Sequence, residues 1–186
     1  MEKSAVVSHR SLIAPIIIAA VVAIIDQLTK WLATSNLIEG ETVPVLGTFF
    51  QLKLVYNYGG ALGTNLGSSS FYLGTSILIF LIILYFIYTN RHVKLIAWPM
   101  AACAGGAIGN IIDRIFTGKV VDFLDFDFFD VNLFGQQVTR WWTFNIADVG
   151  ISVGVVLMIL VILFSPRKPQ KSTIESEMPA NQSQTD

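Results

Sequence analysis

Phe144-Asn145-Ile146-Ala147-Asp148 leads directly into Val149–Phe164, a stretch without a single charged residue. Together, residues 144–164 are long enough to cross a bilayer, which takes about 20 mostly apolar residues. Asp148 therefore stands at the mouth of a hydrophobic helix. A carboxylate beside hydrocarbon is costly, so such groups face a protein interior or a wet cavity. Taken alone, Asp148 also fits a simpler reading, an acid stabilised by the positive end of a helix dipole. The rest of the chain separates the two.

Three further apolar stretches match the first. Residues 12–31, 71–89 and 95–116 join 144–164 as predicted spans, in a chain of 186 residues that is 53% hydrophobic and only 13% charged. Soluble domains carry about 25% charged residues, and the mean hydropathy here is +0.62. The expected fold is mainly α, a four-transmembrane-helix bundle with a small extracytoplasmic β-rich cradle. Residues 1–11 form a cytoplasmic head and 165–186 a disordered cytoplasmic tail, polar and without apolar periodicity. The first span, entered near Pro15, is interrupted by Asp26 and Lys30 and lacks a small-x-small cleavage site. It reads as a retained span, not a removed leader.

Segments 32–70 and 117–143 join the spans on one side. Thr42–Tyr56, with Gly47 as its turn, reads as a hairpin. Asn57–Gly63 is too glycine-rich for a regular strand or a stable helix. It is either a re-entrant turn or a plain surface loop. Ser68-Ser69-Ser70 caps the second span, whose expected work is to wall a site. Asp125, Asp127 and Asp130 alternate with Phe126, Phe128 and Phe129 and read as solvated acids of an interfacial strand or loop. Arg140-Trp141-Trp142 reads as an interface anchor.

Positive charge orients the bundle. Lys3, Arg10, Arg91, Lys94, Arg167, Lys168 and Lys171 share one side, against Lys53, Lys119 and Arg140 on the other. Both termini are thus expected in the cytoplasm. The polar ends of spans one, three and four then meet at the outer face: Asp26 and Lys30; Asn110, Asp113 and Arg114; Asn145 and Asp148. Asp26 and Lys30, four apart, are either an intrahelical ion pair with Lys30 reaching toward headgroups or neighbours of the site. Asn110, Asp113 and Arg114 share one helix face, and the nearby acids are the expected partners of Arg114.

Composition excludes several classes of function. A net charge of −1 offers no basic face for nucleic acid. Two histidines, His9 and His92, and one cysteine, Cys103, make neither the usual zinc cluster nor a disulfide. Cys103 reads as a small packing residue beside Gly105 and Gly106. No nucleotide-binding loop is present, and no metal or cofactor is expected. What remains is carboxylate chemistry. Two acids sharing one proton can orient a water, take its proton and protonate a leaving group. Asp148 and an acid of the 122–130 run can meet if residues between them fold back over the membrane. The residues alone do not choose among Asp122, Asp125 and Asp127. A small proton-coupled carrier or channel subunit is the alternative, since intramembrane acids also relay protons.

Asp26-Gln27-x-x-Lys30, Asn57-x-Gly59-x-Ala61, Gly105-Gly106-x-x-Gly109-Asn110-x-x-Asp113-Arg114, Val121-Asp122-Phe123 and the opening pentapeptide resemble, in order, the blocks of the bacterial lipoprotein signal peptidases (signal peptidase II). The resemblance covers about residues 12–164. It implies a cytoplasmic-membrane aspartic endopeptidase that removes signal peptides from diacylglyceryl-modified prolipoproteins, cutting on the amino side of the lipidated cysteine. It implies Asp122 and Asp148 as the catalytic pair. Asp26, Asn57, Asn110, Arg114 and Asn145 are implied as support, and Lys30 and Asp113 lie on the same faces. A β-cradle and a small interfacial helix are implied within 32–70. The expected partners are those prolipoproteins and membrane lipids, with a single chain sufficing. Two features depart from the pattern: Leu62 stands where phenylalanine is common, and the 123–147 segment is long.

Overall fold

The computed structural model describes residues 10–59, 67–128, 131–133, 136–138 and 140–164. Its order is α1 (Arg10–Asn36), β1 (Thr42–Leu46), β2 (Phe50–Asn57), α2 (Ser69–Thr89), α3 (Lys94–Thr117), β3 (Val120–Phe126), β4 (Val131–Leu133), β5 (Gln136–Val138) and α4 (Ile146–Phe164). Among the described residues, 4 helices are long and apolar enough to cross a membrane. The mainly helical bundle with a small β-rich attachment therefore stands. The polar head and tail, Leu62 and Asp130 lie outside the described residues. So does the implied interfacial helix if it falls within 60–66; the described remainder of 37–68 holds strands and no helix.

The helix ends explain the differences from the expected bounds. α1 runs on to Asn36, because Ala33, Thr34, Ser35 and Asn36 add two polar residues' worth of backbone bonding without breaking the helix: Thr34 Oγ1 and Asn36 Nδ2 donate back to the carbonyls of Lys30 and Leu32. It also starts at Arg10, which places Pro15 beyond the first turn. α2 is capped by Ser68, whose side chain accepts from the Phe71 amide. Ser69 Oγ donates to the Gly118 carbonyl and ties the start of α2 to the end of α3. Gly118 closes α3 in the left-handed region, φ 72°.

α3 is the central helix. Over half of its apolar window (56%) is buried inside the protein, against 11–17% for the other three. Its small residues let its neighbours approach closely. A Cβ added at Gly105 would collide with the Ala19 carbonyl of α1. One added at Gly106 would collide with the Ala147 carbonyl of α4. Cys103 is buried against α4, its Sγ 3.6 Å from the Ile151 carbonyl oxygen. Toward the other end Ile87 of α2 packs on Ala101 and Ala104 of α3. The outward faces of α1, α2 and α4 expose Ile, Leu, Val and Phe side chains suited to lipid.

A three-stranded antiparallel sheet, order β1-β2-β3, sits at the polar end of this bundle, with β4 and β5 as a separate hairpin. Gly47 makes the expected turn between β1 and β2 at φ 58°. The register of β2 on β3 shifts between Leu52 and Val55. Leu54 and Phe123 are buried, while Lys53, Val55 and Asp122 line a cavity. Phe144, just ahead of α4, pairs with Leu124 of β3: its amide donates to the Leu124 carbonyl (3.0 Å) and its carbonyl accepts from the Leu124 amide (2.8 Å). The sheet thus carries the start of the last helix.

The close approach at Gly106 is testable. Gly106→Ala should destabilise the protein by about 1–3 kcal/mol, because the colliding atom is backbone and α3 and α4 must part. Gly74→Ala in α2, where an added Cβ meets nothing within 4 Å, should leave the melting temperature in detergent unchanged or higher. Equal melting temperatures for the two variants would contradict this packing.

Candidate active site

The site grows from the N-terminus of α4. The first amides of a helix lack intrahelical partners, and here side chains meet them. Asn145 Oδ1 accepts from the Asp148 amide (3.0 Å), while Asp148 Oδ2 accepts from the Asn145 amide (3.2 Å). This is a reciprocal capping box, with an acid in the place of the usual Glu or Gln. The Ala147 amide is met from outside the helix, by Asp26 Oδ1 of α1 at 2.8 Å. The short Asn-x-x-Asp spacing therefore starts the helix and also fixes the direction of the Asp148 carboxylate.

Asn145 is fully buried (0% exposed). Its Nδ2 lies 2.7 Å from Asp122 Oδ1 and 3.1 Å from Asn110 Oδ1. Asn110 in turn donates from Nδ2 to Asp148 Oδ1 (2.9 Å). Asn57, at the end of β2, donates to the other oxygen of Asp122 (3.1 Å). Asp122 and Asp148 thus contact the same asparagine, and each has both oxygens in amide hydrogen bonds.

Behind these lies a buried charge cluster. Lys30 is 3% exposed, and its Nζ meets Asp26 Oδ2 (2.8 Å), Asp113 Oδ2 (2.9 Å) and Asn110 Oδ1 (3.0 Å). Of the two readings of Asp26 and Lys30, the structure gives the second: Lys30 turns inward, not toward headgroups. Asp113 also accepts from the Val121 amide (3.0 Å), which anchors β3 immediately before Asp122. Arg114 corrects an expectation. Its hydrogen bonds go to the carbonyls of Gly59 (3.3 Å) and Asn110 (3.4 Å), and no acid among the described residues lies in ion-pair range.

Two residues have partners that the sequence reading did not give them. Gln27 Nε2 bridges α1 to α3, donating to Asp113 Oδ1 (3.0 Å) and the Gly109 carbonyl (3.1 Å). Its position three residues before Lys30, on the same helix face, was the available signal. Arg140, read above as part of an interface anchor, makes a clamp, with Nε 2.8 Å from Asp125 Oδ1 and Nη2 2.9 Å from the Thr48 carbonyl. Asp125 is accordingly buried, not solvated, at 4% exposure. The only cation in a stretch rich in acids was the signal there.

Asp122 and Asp148 line one cavity of about 1370 Å³, with Tyr72 and Ile79 of α2 on one side and Lys53 of β2 on another. The second span does wall the site. Burial, followed by the negative charge of Asp148, pushes the Asp122 carboxyl up to about 7; hydrogen bonds from Asn57 and Asn145 and the charge of Lys30 oppose the rise. Near neutral pH this pair of acids can therefore carry one proton.

The comparisons with known proteins agree on one family. A family model described as Signal peptidase (SPase) II matches residues 18–164. A lipoprotein signal peptidase of Bacillus pumilus is 37% identical over 158 residues, covering 84% of this chain and 97% of that protein. One of Halalkalibacterium halodurans is 37% identical over 156 residues, covering 83% and 95%. Two solved structures, described as bacterial membrane enzymes determined by the in meso method, align with TM-scores of 0.71 and 0.68. They are 32% and 33% identical to this chain, covering 84% and 82% of it and 93% and 94% of those chains. This support falls on the peptidase reading and not on a carrier or channel. With four membrane helices, and buried acids gathered at the end of the bundle, the chain belongs to the signal peptidase II family and is an intramembrane aspartic endopeptidase of that type.

Proposed function

We propose that Asp122 and Asp148 are the catalytic pair and that the substrate is a diacylglyceryl-modified prolipoprotein, cut on the amino side of its lipidated cysteine. The observation that carries the reading is the shared asparagine: Asn145 contacts one oxygen of each acid, at 2.7 Å and 3.2 Å. The relatives' name, lipoprotein signal peptidase, supports the substrate class. A water between the two carboxyls gives its proton to the ionised member, and its oxygen attacks the scissile carbonyl carbon. The C–N bond then breaks as the protonated acid delivers its proton to the leaving amine. Burial makes Asp122 the natural holder of that proton. Asn110 and Asn57 orient the pair, while Asp26, Lys30 and Asp113 hold the helices that bear it. A single chain supplies every one of these groups.

The same reading places both termini in the cytoplasm and the cavity at the outer face. The charge count supports it, and the collection of polar groups at one end of the bundle fits it. Reporter fusions after Lys94 and in the 167–186 tail should read cytoplasmic, and fusions near Lys53 and Lys119 extracytoplasmic. A cytoplasmic reading near Lys119 in active protein would invert the site.

Single-turnover cleavage of a lipid-modified prolipoprotein in detergent tests the pair. Asp122→Asn and Asp148→Asn should each lower the rate by about a thousandfold or more while leaving substrate binding measurable. Asp127→Asn, whose carboxylate meets Arg140 at a longer 3.4 Å, should remain active. Robust turnover by either asparagine variant of the pair would sink the assignment.

The pH dependence follows from the raised Asp122 carboxyl, pushed up to about 7. A mechanism that needs its proton works below that value and loses activity as pH rises through it. kcat/KM measured across pH 5–9 should fall on the alkaline side with a midpoint of about 7. A profile flat to pH 9 would assign the proton elsewhere.

A further inference from the structure

The clamp around Arg140 is not used by the mechanism above. Its guanidinium joins three parts of the outer cradle: Asp125 (2.8 Å) and Asp127 (3.4 Å) on and after β3, and the Thr48 carbonyl (2.9 Å) in the β1–β2 turn. The chain leaving Arg140 is held as well. The Trp141 amide donates to the Phe126 carbonyl (3.1 Å), and Phe144 pairs with Leu124. Residues 141–144 therefore lie along the free edge of β3 as an irregular segment, tied to it by backbone hydrogen bonds at Trp141 and Phe144. All four line the catalytic cavity, and the segment leads into Asn145.

The cavity has two kinds of wall. Beside α2 and α4 it is bounded by Ile79, Ile151 and Val153, at the level of the spans. On the other side of the two acids it is bounded by the cradle, with Lys53, Trp141 and Trp142. A signal peptide is itself apolar and must occupy the level of the spans. The chain following the scissile bond can then leave past the cradle wall. Tryptophans in an open, partly wet wall suit an extended peptide, giving large contact area at low entropic cost.

We propose that Arg140 is a positioning residue for substrate specificity, which holds the Trp141-Trp142 segment as a subsite for the residues following the lipidated cysteine. The inference rests on the proposed function for its substrate. Arg140 also borders the cavity. Its Nε and both terminal nitrogens are engaged by Asp125, Asp127 and Thr48, so it acts through the segment it fixes.

The experiment compares two synthetic substrates with the same signal peptide and diacylglyceryl cysteine. One ends about two residues after that cysteine; the other continues for about ten, enough to reach roughly 35 Å and cross the cradle. Wild-type enzyme should prefer the longer substrate by about fivefold or more in kcat/KM, carried by KM. Arg140→Ala should reduce that preference to about one. Asp125→Asn, which keeps the shape and removes the shorter ion pair, should reduce it in part, and Arg140→Lys should recover some of it. If wild type shows no length preference, or if Arg140→Ala and Asp125→Asn slow both substrates by the same factor, the subsite is overturned and the clamp is structural only. Failure of wild type to cut either substrate would instead refute the proposed function.

Discussion

The buried ammonium of Lys30 is the constraint on which the rest depends. A lone charge inside a membrane bundle is prohibitive, and a charge with one partner is only partly relieved. Lys30 has three N–H donors and three acceptors, supplied by Asp26, Asp113 and Asn110 at 2.8–3.0 Å. One acceptor belongs to α1 and two to α3, so the ammonium fastens two helices. Asp26 extends the fastening to the third by accepting from the Ala147 amide at the start of α4. Each carboxylate is shared between the ammonium and a backbone N–H, which satisfies oxygens that a simple ion pair would leave bare. Removing Lys30 would leave two buried carboxylates without a cation between them, so the arrangement specifies a single registry of three helices.

That registry is also what the small residues of α3 permit. A Cβ at Gly109 would collide with the Asp26 carboxylate, and one at Gly106 with the Ala147 carbonyl. Polar satisfaction and close packing thus require each other. The glycines bring α1 and α4 near enough for Asp26 to span them, and the hydrogen bond selects which close packing occurs. From this base the network passes outward through Asn110 to Asp148 and through Asn145 to Asp122. The acids are aligned by short, neutral amides on a rigid foundation, which is how precise geometry is kept at a site open to a cavity.

The sequence reveals what depends on local chemistry. Hydrophobic length marks the four spans, since any helix in lipid must present apolar side chains over its full height. The hairpin turn at Gly47 is equally legible. The end of α1 is not, because Thr34 and Asn36 look like loop residues and yet bond back along the helix. Of the site, Asn145 and Asp148 are local, a capping box written in four residues. The inward turn of Lys30 is not, because it requires Asp113 and Asn110, some 80 positions away, to arrive on a helix that only packing brings near. The clamp made by Arg140 is hidden in the sequence for the same reason. Its partners Asp125 and Thr48 belong to a sheet whose pairing no nearby residue announces.

The choice between Asp122 and Asp125 shows how non-local structure decides chemistry. Both are buried, both line the cavity, and they lie three residues apart on one strand, a spacing that regular alternation would send to opposite faces. β3 is buried on both faces over Val120–Phe123, so alternation alone does not separate them. Their partners then separate them. Asp125 meets the guanidinium of Arg140 at 2.8 Å, a charged partner that commits it to an ion pair. Among the described residues Asp122 takes its side-chain hydrogen bonds from the amides of Asn57 and Asn145, with a second carboxylate nearby. Burial, and after it the neighbouring Asp148, favours keeping a proton on it against the opposing pull of those amides and Lys30, so its carboxyl is pushed up to about 7. In the proposed mechanism Asp122 gives and regains a proton in each cycle, which that second environment suits. An acid that must hold a wall in place needs the first. The two aspartates are alike in sequence, and their neighbours from other strands and helices give them different work.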